Sequence, residues 1–204
     1  AWEALDKLVP DQLDRYWQHS LEFLRIARKA WPEHLKEIGR IEPAERRDRL
    51  IEAEAKRLTT RHDGPVIAAG STGSMPATAK FLTAVASLKQ GAVVLPGLDT
   101  DLDDEAWETI GGVREAHGKF TTRPSSNHPQ FSMQGLLDRF GIKRSDVEIL
   151  GAPAPEGRDV LVSETMRPST ATEQWHARLA QPDVSAKIAA GMASLAIVEA
   201  PNPE

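Results

Sequence analysis

The stretch Gly70-Ser71-Thr72-Gly73-Ser74 is the part of this 204-residue chain best placed to do chemistry. It lies between a short apolar run, Pro65-Val66-Ile67-Ala68-Ala69, and a helix-forming stretch that opens at Pro76. A loop between a strand and a helix N-terminus offers unpaired backbone N–H groups and the positive end of the helix dipole, which together suit phosphate. Glycine lets the backbone come close to such a ligand. The full phosphate-loop signature is absent, because it ends in Gly-Lys-Ser/Thr, whereas Gly73-Ser74 runs into Met75-Pro76. The next lysine, Lys80, comes more than a turn too late, and no further glycine completes a dinucleotide fingerprint. The plainer reading is a turn that needs glycine for its backbone angles.

Other candidates carry chemistry more weakly. Asp99, Asp101, Asp103, Asp104, Glu105 and Glu108 crowd around Trp107 just past a second apolar run. Carboxylates there could hold Mg²⁺, but the same pattern describes an exposed loop and the acidic first turn of a helix. Arg46, Arg47 and Arg49 could touch a phosphate backbone, or pair with Glu42, Glu45 and Asp48 as a solvated helix face. The histidines (19, 34, 62, 117, 128 and 176) contain no pair at the spacing of a helical zinc site. Ser71, Ser74 and Ser163 lack the Gly-x-Ser-x-Gly context of a nucleophile elbow. Of the tryptophans, Trp17 and Trp31 fit core or interdomain packing, and Trp175 in a polar helix fits an interface; stacking on bases is the sharper alternative.

Composition bounds the class. The chain is 40% apolar and 27% charged, enough for a core and too apolar for disorder. It has no cysteine, hence no disulfide, thiolate site or iron–sulfur cluster in this stretch. No apolar run nears the ~18 residues of a membrane span, and the N-terminus alternates charge with Leu unlike a signal peptide, so a cytoplasmic, non-membrane protein is expected. Net charge is −5: residues 1–63 balance, and residues 64–204 carry the excess of acid. No basic face is evident, so strong autonomous binding to nucleic acid is not expected. The opening at Ala1 and the close at Pro201-Asn202-Pro203-Glu204 lead us to expect an internal piece of a longer chain.

The elements that must position these residues follow from periodicity. Leu13, Trp17, Leu21 and Leu24 recur at helical steps, and Trp31-Pro32 should kink or break that helix. A short helix closed by Gly39 is expected next, then a helix over about 43–61 with Leu50, Ile51, Ala55 and Leu58 on its apolar side. Residues 66–69 read as a strand buried on both faces; Ser74 then caps a helix carrying Phe81, Leu82, Val85 and Leu88, and Ala92–Leu95 forms a second, parallel strand. A long mobile loop is predicted over 111–127. Beyond it come a helix holding Leu136, Leu137 and Phe140 and capped by Gly141, a third strand at Val147–Leu150, a linker-like loop at 151–157, helices at about 159–166 and 170–180, and a strand at Leu195–Val198. The fold class is α/β: a helical subdomain at 1–63, then an α/β core at 64–204 with a parallel sheet and helices on both faces.

Several long stretches resemble the AddB family in its alphaproteobacterial form. They are Pro65 to Ala79, Gly91-Ala92-Val93-Val94-Leu95-Pro96-Gly97-Leu98-Asp99, Glu42 to Arg47, His128-Pro129-Gln130-Phe131 with Leu136-Leu137, Ser163-Glu164-Thr165-Met166-Arg167-Pro168 with Trp175, and the closing Leu195 to Glu204. The resemblance implies a decayed superfamily 1 helicase domain, P-loop NTPase-like in fold, within a double-strand-break repair helicase–nuclease. It also implies an AddA-like partner subunit, double- and single-stranded DNA as substrates, and ATP/Mg and a 4Fe–4S cluster held elsewhere in the family's chains. Near the end of the strand where an active motor carries Mg²⁺-binding acids, this sequence reads Gly70 to Ser74 and has no carboxylate, so no catalytic residue of the family transfers. The expected function is a non-catalytic scaffold. The rival is a small nucleotide-binding α/β enzyme using the same loop.

Overall fold

A computed structural model describes the backbone of residues 15–61, 63–114, 120–151, 155–193 and 195–196, and the side chains of these except 15–18, 21 and 114. The chain divides into two compact units between Ala53 and Glu54.

The first unit begins with α1 (Arg15–Glu37), which runs through Pro32 instead of breaking there. A proline forfeits one amide donor, and the good helix formers on both sides, Ala27 to Ala30 and Glu33 to Glu37, outweigh that single loss. The expected separate short helix is therefore the end of α1. Its stop is a Schellman motif: Gly39 sits at φ +64°, its N–H donates to Lys36 O at 3.2 Å, and Arg40 N–H donates to Leu35 O at 2.8 Å. Trp31 is 50% exposed and its Nε1–H donates to the Glu42 carboxylate, so it is not a core residue. The side chain of Trp17 lies outside those described. The unit runs into α2 (Pro43–Thr60), on which Leu50 is exposed while Ala55 and Leu58, past the division, are buried.

The second unit holds β1 (Val66–Ala69), α3 (Pro76–Ala86) and β2 (Gly91–Val94) as a strand–helix–strand unit. The strands pair in parallel, Val66 opposite Gly91 through Ala69 opposite Val94. Ala68 and Val93 pack on a cluster of Ala79 and Leu82 from α3 and Leu136. The opposite face is poorly covered among the described residues: Ile67 is 69% exposed, Ala69 and Ala92 are exposed too, and Val94 is half-buried. The expectation of a strand buried on both faces is thus corrected, because among the described residues the helices pack on the Ala68 side.

The third strand is corrected as well. Val147 is drawn into a core cluster, but Glu148, Ile149 and Leu150 are exposed and unpaired with any strand. Leu195 and Ala196 are irregular, and Ile197-Val198 lie outside the described residues. The predicted loop over 111–127 contains instead β3 (Val113–Arg114) and β4 (Phe120–Thr122), an antiparallel pair favoured by β-forming Val, Phe and Thr. Between β2 and β3 lies α4 (Asp104–Gly111), and α5 (Phe131–Phe140) follows β4. Leu102, Ala106, Trp107, Ile110 and Leu137 form the second core cluster.

α6 (Arg158–Thr165), α7 (Trp175–Leu179) and α8 (Pro182–Met192) complete the chain. The predicted helix over 170–180 is split into a 3-10 turn at Ser169–Ala171 and α7. α8 was not expected. Pro182 starts that helix as its first residue, where its missing N–H costs nothing. α6 and α8 meet backbone to backbone: a Cβ on Gly157 would collide with Lys187 O, and one on Gly191 would stand 2.5 Å from Gly157 O. The fold is mixed α/β, mostly helical, with a small parallel two-stranded sheet. No helix among the described residues is long and apolar enough to cross a membrane.

Candidate functional site

The Gly70–Ser74 bend opens at the carboxyl end of β1, where ligands of parallel sheets bind. Its glycines are committed to the fold. Gly70, at φ +80°, donates its N–H to Val94 O at 3.1 Å and so closes the ladder. Gly73, at φ +66°, is buried and donates its N–H to Ser71 Oγ at 3.3 Å. A Cβ on Gly73 would lie 3.2 Å from both terminal methyls of Leu136. Turn geometry and core packing thus require the glycine. Ser74 does not cap α3. Met75 holds the cap position in extended geometry with no side-chain bond, because Pro76 pushes its predecessor out of the helical region. Thr72 is half-buried, Ser74 is exposed, and Lys80 projects from α3 beyond the bend.

A denser polar cluster surrounds the loop after β2. Asp99 Oδ1 accepts from the N–H groups of Asp101 and Leu102 at 2.9 Å each, an Asx turn. Gln130 clamps that loop: its Nε2 donates to Gly97 O at 2.9 Å and its Oε1 accepts from Asp99 N–H at 3.2 Å. His128 Nδ1 accepts from Gln130 N–H at 3.2 Å, so Nε2 carries the hydrogen and donates to Met166 O at 2.7 Å. Arg144 donates to Asp99 O at 3.2 Å and to Asp104 Oδ1 at 2.8 Å, and its guanidinium lies 4.8 Å over the buried Trp107 ring.

Beneath the loop sits an ion network. Asp103 caps α4 by accepting from Ala106 N–H at 2.9 Å, and it pairs with Arg167. Glu164, 2% exposed, pairs with Arg178 and with Arg167 Nε at 3.3 Å. Arg178 also lies 3.6 Å from Asp103. Burial raises the Asp103 carboxyl, but the Ala106 N–H and the Arg167 and Arg178 charges outweigh it and hold the group below the usual carboxylate range. Burial lowers the Arg178 guanidinium, and the Glu164 hydrogen bond and charge more than restore it, so it ends raised. Asp101 goes the other way. Burial and the neighbouring charges of Asp159 and Asp99 push it up, against Lys187 and Arg144.

Asp99, Asp103 and Asp104 are therefore bound up in capping and pairing, which fits positioning better than proton transfer. Among the described residues no three of His, Asp and Glu converge as metal ligands. Arg47 pairs with Asp48 at 3.0 Å and Arg49 with Glu45 at 2.5 Å, all exposed; Arg46 is exposed on the same helix. These arginines and the Gly70–Ser74 bend lie in different units. Sequence reasoning missed Glu164, Arg167, Arg178 and Gln130. The Glu164–Arg167 spacing of one helical turn was visible, but Asp103 lies 64 residues away from Arg167. Buried Ser163 Oγ and Gln134 Oε1 have no hydrogen-bond partner among the described residues. No family model matches the chain, and no curated protein or solved structure matches it.

Proposed function

We propose that this chain is a non-catalytic, helicase-like scaffold unit of an AddB-type subunit, acting in the cytoplasm with an AddA-like helicase–nuclease on broken DNA ends. The long stretches quoted above support the family, and the state of the bend supports the loss of catalysis. An active motor holds a nucleotide's phosphates and Mg²⁺ with a lysine, a hydroxyl and a carboxylate at this edge of the sheet. Here the two bend glycines serve the ladder and the core, and the bend has no charged side chain. That single observation carries the reading. In such a unit the Arg46–Arg49 face supplies weak contact with the DNA backbone, and the cluster around Asp99 and Asp103 keeps the loop after β2 in one shape.

The test is fluorescence anisotropy of end-labelled duplex and single-stranded DNA with the full chain over a salt series. Weak binding that fades with salt, and weakens further in the triple variant Arg46→Ala, Arg47→Ala, Arg49→Ala, is expected. Nanomolar, sequence-selective binding, or binding indifferent to that triple change, contradicts it.

A further inference from the structure

Among the described residues β2 pairs with β1 alone, and no described strand lies along its other edge. A groove of about 340 Å³ runs along that edge: all five consecutive residues from Gly91 to Leu95 line it. Successive residues of a strand point to opposite faces, so a groove touched by every one of them follows the edge and not a face. Phe140, Ile142, Val147 and Leu150 also line it, and Ile142 and Leu150 remain exposed. Asp146 and Glu148 are its charged lining residues, and no lysine or arginine lines it.

We propose that this groove docks an extended segment of a partner protein in which β-branched apolar residues alternate with lysine or arginine, and which adds to β2 as a further strand. Three features choose that occupant. An open edge presents a row of N–H and C=O groups, whose natural complement is another strand and not a helix. The apolar lining accepts side chains from one face of such a strand, at every second residue. The carboxylates of Asp146 and Glu148 select cations at the positions between. The proposal stands apart from the scaffold reading, since it needs neither DNA nor nucleotide.

The experiment titrates the full chain with a fluorescent peptide alternating valine with lysine, then with its valine–glutamate twin and with a lysine peptide N-methylated on alternate amides. The lysine peptide is expected to bind about tenfold more tightly than the glutamate twin, and the N-methylated peptide to lose binding. Glu148→Lys, an exposed change that spares the core, is expected to narrow or invert the preference between the charged peptides. Equal binding of the N-methylated peptide overturns strand addition, and an unchanged preference in Glu148→Lys overturns the charge assignment. Hydrogen exchange on the free chain closes the remaining route: Gly91–Leu95 amides already protected and unmoved by peptide mean that a second copy or the 147–150 segment covers the edge, which also overturns the proposal.

Discussion

Glu164 and Arg167 stand one turn apart and are both nearly sealed from water, and each finds a further partner from elsewhere in the chain. A buried pair of this kind contributes little against an apolar replacement but costs heavily when one member is removed. Glu164→Ala should therefore lower stability by about 3 kcal/mol in urea unfolding. Arg49→Ala, which breaks an exposed pair, should cost under about 0.5 kcal/mol. Acid behaviour separates the two aspartates. Asp103 has its folded-state pKa lowered, so its contribution exists above the usual carboxylate value near ~3.9 and vanishes as pH falls through the lower folded value. Asp103→Asn should thus cost stability at neutral pH and progressively less in acid. Asp101 is raised, so its destabilising effect sets in as pH rises past the usual carboxylate value and is complete above its higher folded value. Asp101→Asn should raise stability at neutral pH slightly, by under about 1 kcal/mol given its exposure, and give no gain in acid. At this scale the sequence reveals residue types and little more. The acids after Leu98 were visible, but which of them cap, pair or repel depends on Gln130, Arg144, Arg167 and Arg178, which arrive from distant segments.

Local elements were far more legible, because their signals lie within a few residues. α2, α3, α5 and the parallel pair of β1 with β2 follow from apolar periodicity and from glycine stops such as Gly141, which ends α5 at φ +69°. What failed was proline and context. Pro32, expected to kink or break its helix, lies inside α1, while Pro182 begins the unexpected α8. Val147–Leu150 has a strand's composition, yet only Val147 finds a core to enter. The close approach of α6 and α8 through Gly157 and Gly191 could not be read locally, since a glycine inside a helix looks like a weakness until its neighbour is known. Gly191→Ala should destabilise by about 1–3 kcal/mol through overpacking. Gly135→Ala, in α5 with nothing within 4 Å of the added methyl, should be neutral or stabilise by up to ~1 kcal/mol. Thermal melts of the two variants side by side give the comparison.

At the scale of the molecule, the second unit is a helical assembly around one short parallel pair of strands, and Ile67, Ala69 and Ala92 on one face of that pair stay exposed among the described residues. The bend after β1 matters more to the proposed scaffold role than any other feature, since it opens at the carboxyl end of a parallel strand, where ligands of such sheets bind. Isothermal titration of the full chain with ATP and Mg²⁺, with released phosphate followed in the same samples, tests it most directly. No saturable heat and no turnover are expected. Saturable binding with phosphate release, abolished by Gly73→Val, would contradict it.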